Sequence, residues 1–255
     1  MSPLVMGVLN HGGPFDPPKA TITRGLEMIT DGADIIDVGG DLPAVADVVA
    51  ALAEQVRVSI HTTDATVARA AFEAGATVVN DMSADLWPIA AEAGAGWIAV
   101  HGPCAVDDPE VVATVRRALV ERATAALEGG VDEVWIDPGV GFGKSLAQSV
   151  QLLGHIDDLV ATGLPVAIAT SRKRFIGALL AASDARSTEP SLPGLAPPPI
   201  IDLAADDVMV ASDDRIEGSL ATAVHALVHG VSLVRVHDVR ATAHAVRLLT
   251  AEVAA

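Results

Sequence analysis

Short apolar runs alternate along the chain with longer stretches whose apolar residues recur every three or four positions. The short runs predict strands at 4–9, 34–38, 56–60, 77–79, 97–100, 134–136, 166–169 and 233–236. Most are largely apolar, as expected of strands covered on both faces. The periodic stretches predict helices at 22–31, 44–54, 64–73, 88–93, 109–127, 146–160, 216–228 and 241–254. Turn chemistry agrees with these limits: Gly32, Gly75, Gly94 and Gly129-Gly130 stop helices, and Pro109 opens one. Eight strand–helix units in 255 residues predict one domain, an α/β fold of the (β/α)8 barrel type. An open doubly wound sheet is the competing architecture, but no G-x-G-x-x-G follows the first strand. Residues 183–214 break the rhythm with five prolines between Pro190 and Pro199 and acids such as Asp202, Asp206 and Asp207. This stretch is expected to be a solvated, flexible insertion, with a lid or partner-binding segment as the other reading.

Composition narrows the picture. Hydrophobic residues make up 51% of the chain and aromatics only 3%, with no Tyr, so the core must be built from Ala, Val, Leu and Ile. A net charge of −17 argues against nucleic acid or an anionic membrane as partner. Yet Lys144, Arg172, Lys173, Arg174, Arg235, His237 and Arg240 lie in or beside three strand-end stretches, which implies a small anionic ligand. Cys104 stands alone, so no internal disulfide forms and a reducing, cytoplasmic setting is expected. The first residues lack the basic-then-apolar pattern of a signal peptide, and no apolar run approaches the roughly 18 residues of a membrane span.

Polar residues gather where strands are predicted to end: Asn10, Gly39-Gly40, His61, Asn80-Asp81, His101, Asp137, Ser171 and Arg235 to His237. In a barrel these positions ring one face, the face on which such folds keep their chemistry. The stretch Asp137-Pro138-Gly139-Val140-Gly141-Phe142-Gly143-Lys144 offers a carboxylate at a strand tip, then glycines that let backbone approach a ligand. Plainer roles compete. Asp137 before Pro138 can cap a turn, Asn10 and Asn80 fit loop chemistry, and His237 alone reads as a strand-end histidine. Lys144 is expected to be a surface charge at a helix start. Cys104 is expected to be a small buried thiol, and His155, His225, His229 and His244 to be surface or packing residues.

These stretches, taken in order, resemble the dihydropteroate synthases and their pterin-binding relatives. The similarity runs through residues 5–10, 32–40, 74–82, 137–144, Ser171-Arg172-Lys173 with Phe175-Ile176-Gly177, and residues 235–239. The resemblance implies a TIM barrel that joins 6-hydroxymethyl-7,8-dihydropterin pyrophosphate to 4-aminobenzoate with magnesium, in folate synthesis. It implies that Asp137 and Asn80 hold the pterin's aminopyrimidinone edge, that Lys173 meets its carbonyl side, that Arg172 stacks on the ring and that Phe142 walls the pocket. His61, Met82 and Ser171 join the substrate-binding set. Asn10, Arg235 and His237 would hold the pyrophosphate, with Asn10 near the magnesium, and Lys173, Arg235 and His237 would be the catalytic groups. A homodimer is in keeping with the family.

The chain also departs from the family. His61 stands where the family carries Asp. Residues 11–18 and 41–44 differ from the family's first two loops, and the second has lost a Thr-Arg pair. Arg174 replaces a small residue. Two other functions therefore stay open: a non-catalytic homologue that binds a pterin or phosphorylated ligand, and a pterin-dependent methyltransferase domain.

Overall fold

The computed structural model describes residues 2–10, 18–40, 44–105, 108–187 and 210–251. The elements run β1 (Leu4–Asn10), α1 (Pro18–Asp31), β2 (Ile35–Gly39), α2 (Ala44–Ala53), β3 (Arg57–Thr62), α3 (Ala65–Glu73), β4 (Val78–Asp81), α4 (Trp87–Ala93), β5 (Gly96–Val100) and α5 (Val111–Glu128). They continue with β6 (Val134–Asp137), α6 (Leu146–Gly154), α7 (Ile156–Val160), β7 (Ala167–Ile168), α8 (Arg174–Ser187), α9 (Ile216–Val228), β8 (Leu233–Val236) and α10 (Val239–Leu249). All pairs are parallel, in the order β6-β5-β4-β3-β2-β1-β8-β7. The two outer strands meet through an Ile136–Val166 bridge and an Ile136 N–H bond to the Pro165 carbonyl at 2.9 Å, so the sheet closes into a barrel.

Local chemistry sets the element limits. Asp64 caps α3 by accepting the Thr66 and Val67 N–H groups, the usual remedy for unpaired donors at a helix start. Ser145 and Gln148 form a capping box at the start of α6. Gly94 ends α4 in the left-handed conformation. Two differences from the sequence reading stand out. The helix expected over 146–160 is broken at His155 into α6 and α7. An unexpected helix, α8, begins at Arg174, so the predicted insertion at 183–214 starts inside a helix. At its other end Ser212–Asp214 make a 3-10 turn, and residues 188–209 lie outside the described residues.

Because side chains alternate across a strand, each strand feeds two cores. One cluster, including Ile36, Val38, Val58, Ile60, Val79, Trp97 and Ile136, packs outward against the helices. The other fills the barrel: Met6, Ile35, Val78, Ile98, Val100, Trp135, Ala167 and Leu233. Arg57, at the start of β3, pairs with Glu133 through contacts of 3.2 and 2.6 Å and lies 5.9 Å from the Trp135 ring centroid, closing the bottom of the barrel. The same inward register, carried up the strands, turns polar: Asp37, Ser59, His61, Asn80, Asp137 and Arg235 follow the apolar layers. The site is thus the upper continuation of the barrel core.

Trp135 is 4% exposed and central to that core. Trp135→Ala is expected to lower the free energy of unfolding by about 3–5 kcal/mol, read by urea denaturation. Arg57→Ala, at a half-exposed pair, should cost less than about 1 kcal/mol.

Candidate active site

The focal group of the barrel mouth is Asp37, in the middle of β2 and fully buried. Its Oδ2 accepts the Arg235 Nε–H at 2.6 Å and an Asn80 Nδ2–H at 2.9 Å, and His61 Nδ1 lies 4.0 Å away. Burial alone would raise its carboxyl pKa, but the Arg235 guanidinium, His61 and the hydrogen bonds outweigh it and hold Asp37 below the usual carboxylate range. Asp37 Oδ1 and His61 Nδ1 are buried without a hydrogen-bond partner in the protein, as expected where a ligand or water completes the network. Burial keeps His61 neutral near pH 7, against the opposing pull of Asp37.

Above Asp37 lies a cavity of about 110 Å³ lined by His61, Asn80, Met82, Val100, Asp137, Gly139, Val140, Phe142, Ala169, Lys173 and Arg235. That is small beside the roughly 300–1,000 Å³ of drug-sized pockets. A larger groove of about 570 Å³, lined by Pro109, Arg116 and His155 among others, lies on the helical flank of the barrel, away from the strand ends.

Asp137 ends β6 and is buried. Its Oδ1 accepts the Gly139 N–H at 2.7 Å, so the turn-capping role is real. Burial still pushes its carboxyl pKa up, against the pull of that N–H, Lys173, Lys144 and Arg235. Gly139 has φ +65°, and a Cβ there would sit 2.1 Å from the His101 carbonyl oxygen, so only glycine lets the β6 loop close over β5. Lys144 corrects the sequence expectation of a surface charge. It is partly buried, and its Nζ donates to the carbonyls of Gly102, His101 and Phe142 at 2.9, 3.0 and 3.4 Å, tying the β5 and β6 loops together. Burial lowers its pKa to about 8.

Lys173 lines the cavity with its stem against Gly141, and burial lowers its pKa against the pull of Asp137. Arg172, expected to stack on a ring, instead pairs with Asp238 at 2.7 and 3.3 Å and does not line the cavity. Ser171 Oγ accepts the His237 N–H at 3.1 Å and faces His237 Nδ1 at the same distance. When the Ser171 hydroxyl donates to Nδ1, Nε2 is the N–H side of the neutral ring. Burial and the neighbouring Arg172 and Arg235 lower the His237 pKa to about 4, so the ring is neutral near pH 7. His237 lines a second, open depression beside Asp238 and Arg240, next to the cavity wall made by Arg235. Asn10 is exposed at the tip of β1, its Oδ1 close against Gly39. Residues 11–17 and 41–43, the altered loops, lie outside the described residues. Among the described residues no three His, Cys, Asp or Glu side chains converge as a metal site.

Asp81, beside Asn80, serves the fold: its carboxylate accepts the Trp97 Nε1–H, the Leu86 N–H and the Ser83 N–H. Burial raises the Cys104 thiol pKa, so Cys104 is no activated nucleophile. His155 and His244 are exposed, while His225 Nε2 contacts the Leu153 carbonyl, in keeping with surface and packing roles. Asp37 escaped the sequence reading. Its signal was present, a carboxylate in the apolar run Ile35-Ile36-Asp37-Val38, since a buried charge there must find a partner.

Fold and site together define a (β/α)8 barrel whose strand C-termini enclose a small polar cavity with paired carboxylates and cations. A profile of the pterin-binding enzymes matches residues 9–237. The dihydropteroate synthase of Mycobacterium leprae is 37% identical, over 97% of this chain and 92% of that one. The dihydropteroate synthase of Thermus thermophilus, in complex with 6HMPPP, superposes with a TM-score of 0.78 at 32% identity, covering 97% of this chain and 93% of that one. That of Xanthomonas albilineans, in complex with 7,8-dihydropteroate, gives 0.77 at 34% identity, covering 97% and 92%. The chain belongs to the dihydropteroate synthase family of pterin-binding enzymes.

Removing the Asp37 charge leaves the Arg235 guanidinium without its buried counter-charge. Asp37→Asn is expected to lower unfolding free energy by about 3–5 kcal/mol in urea, and Asp37→Asn with Arg235→Met to recover part of that loss. A double variant that loses the sum of the Asp37→Asn and Arg235→Met losses measured singly would show that the pair is not coupled.

Proposed function

We propose that the protein is a dihydropteroate synthase, joining 6-hydroxymethyl-7,8-dihydropterin pyrophosphate to 4-aminobenzoate in folate synthesis. The observation that carries this reading is the cavity over Asp37, in which Asp137, Asn80, Lys173 and Arg235 converge within a chain of this family. A pterin's amino and ring N–H groups stand side by side, and the Asp137 carboxylate can accept both. Asn80 borders the same edge, its amide turned by the bond to Asp37. Lys173 donates to the ring carbonyl, and Phe142 and Met82 wall the ring. Arg235 gives Nε to Asp37 and keeps its outer nitrogens for the pyrophosphate, with His237 offering Nε2–H beyond it. As the arylamine nitrogen bonds to the pterin methylene carbon, the C–O bond breaks, pyrophosphate takes the electron pair, and the amine sheds a proton. Arg235 stabilises charge building on the leaving group.

Magnesium fits this arrangement in one form. Asn10 supplies a single neutral oxygen at the mouth, so pyrophosphate oxygens and water would make up most of its shell, with Asn10 alongside. It would there neutralise charge on the leaving group.

A second reading is favoured by one observation. His61, neutral and beside Asp37, replaces the family's carboxylate, and a neutral ring supplies no negative charge to an electron-poor carbon. On that reading the chain binds a pterin without turning it over. Pyrophosphate release with the pterin pyrophosphate, 4-aminobenzoate and magnesium decides between them: release above the no-enzyme control is expected, and pterin binding without release would establish the second reading. His61→Asp should tighten pterin binding about tenfold by isothermal titration, through a charge-assisted hydrogen bond.

The Asp137 carboxylate must be ionised to accept two N–H groups, so a proton competes with the ligand. Its pKa is raised by burial, and affinity should therefore fall on acidification at a pH above the ~3.9 of an ordinary Asp. Asp137→Asn should bind roughly 30- to 150-fold more weakly near pH 7 and lose this pH dependence. The same acid limb in Asp137→Asn would assign the titration to another group.

A further inference from the structure

Outside the cavity, one buried cation has partners that the proposed function does not use. Arg215, just before α9, is 8% exposed. Its Nε donates to the Val210 carbonyl at 2.7 Å, and its Nη1 donates to the carbonyls of Arg172 at 3.0 Å and Lys173 at 3.3 Å. Gly177 on α8 makes the room: a Cβ there would lie 2.6 Å from Arg215 Nε. Ser219, one turn along α9, extends the contact. Its Oγ accepts the Arg172 N–H at 2.9 Å and donates to the Arg215 carbonyl.

These bonds converge on a strained turn. Arg172 has φ +58°, a left-handed backbone that an L side chain adopts only when its surroundings hold it there. The surroundings do so from three sides: Ser171 holds the end of β8, the Arg172 side chain holds Asp238, and Arg215 with Ser219 holds the turn's own N–H and carbonyls. The next residue, Lys173, projects from this turn into the cavity. Burying a guanidinium against backbone carbonyls is costly, which points to geometry rather than stability as what it secures.

We infer that Arg215, with Ser219, is a positioning residue for the cavity: it fixes the Arg172–Lys173 turn and so sets where the Lys173 ammonium stands. The consequence for ligand affinity rests on the pterin reading above, but the placement of Lys173 does not, and the test separates the two. The chain has three lysines, Lys19, Lys144 and Lys173, so a protein labelled with 13C at lysine Cε gives three assignable signals. In Ser219→Ala and Arg215→Gln, the Lys173 signal should move and its titration should shift up toward an ordinary lysine, as the ammonium leaves its buried place, while Lys19 stays put. Pterin affinity in the same variants should fall about tenfold, yet Ser219→Ala should cost nothing further in a Lys173→Ala background, the signature of action through Lys173.

An unmoved Lys173 signal in the folded Ser219→Ala protein overturns the inference, as does an affinity loss that persists in full without Lys173. Should Arg215→Gln fail to fold, Ser219→Ala carries the test alone. A moved Lys173 signal in a protein that binds no pterin, wild type included, would sustain the positioning role and reject the pterin reading.

Discussion

The upper barrel depends on one buried contact, the 2.6 Å bond between Asp37 and Arg235. A carboxylate in the middle of a fully covered strand can stay ionised only if a cation reaches it, and the β1 strand between them lets β8 bring Arg235 there. Once that pair exists, the rest of the ring is constrained. Asn80 turns its amide nitrogen to Asp37, and His61 is left beside a negative charge it approaches but does not bond. The cavity inherits its polarity from this arrangement, since Arg235 reaches the lining with one nitrogen already spent. The contact is therefore less a stabiliser than a template: it orders three side chains from three strands before any ligand arrives.

The barrel was legible because both strand faces are buried and the helices between are punctuated by glycine. Largely apolar runs and their stops give the order of elements without any knowledge of register. Register is what the sequence hides. Asp37 reads as part of a strand, and only the inward alternation with Ile35 and Gly39 shows that it points into the barrel. Lys144 and Arg215, both outside the strands, were hidden for another reason. Each is a cation whose partners are backbone carbonyls, and such partners carry no residue signature. The helix α8 was missed because it starts inside a strand-end motif and is uniformly Ala- and Leu-rich, with little contrast between its faces. The strand-end residues fared better, since chemistry-bearing side chains cluster visibly there. Arg172 is the instructive exception: its neighbours Ser171 and Lys173 face β8 and the cavity, while its left-handed backbone turns its own side chain to Asp238.

The balance of charge bears on what this site does best. The described mouth holds two carboxylates, Asp37 and Asp137, against two cations, Lys173 and Arg235, with His61 and His237 neutral near pH 7. With Asp in place of His61 the same ring would carry one more negative charge. That charge would attract a cationic pterin ring or an electron-poor methylene carbon, and it would repel the incoming pyrophosphate. Its absence moves the site in the opposite sense. The pyrophosphate end gains attraction, and the reacting carbon loses support. The unpartnered oxygen of Asp37 and nitrogen of His61 mark where that exchange of roles is felt, because the two side chains lie side by side beneath the cavity that His61 lines.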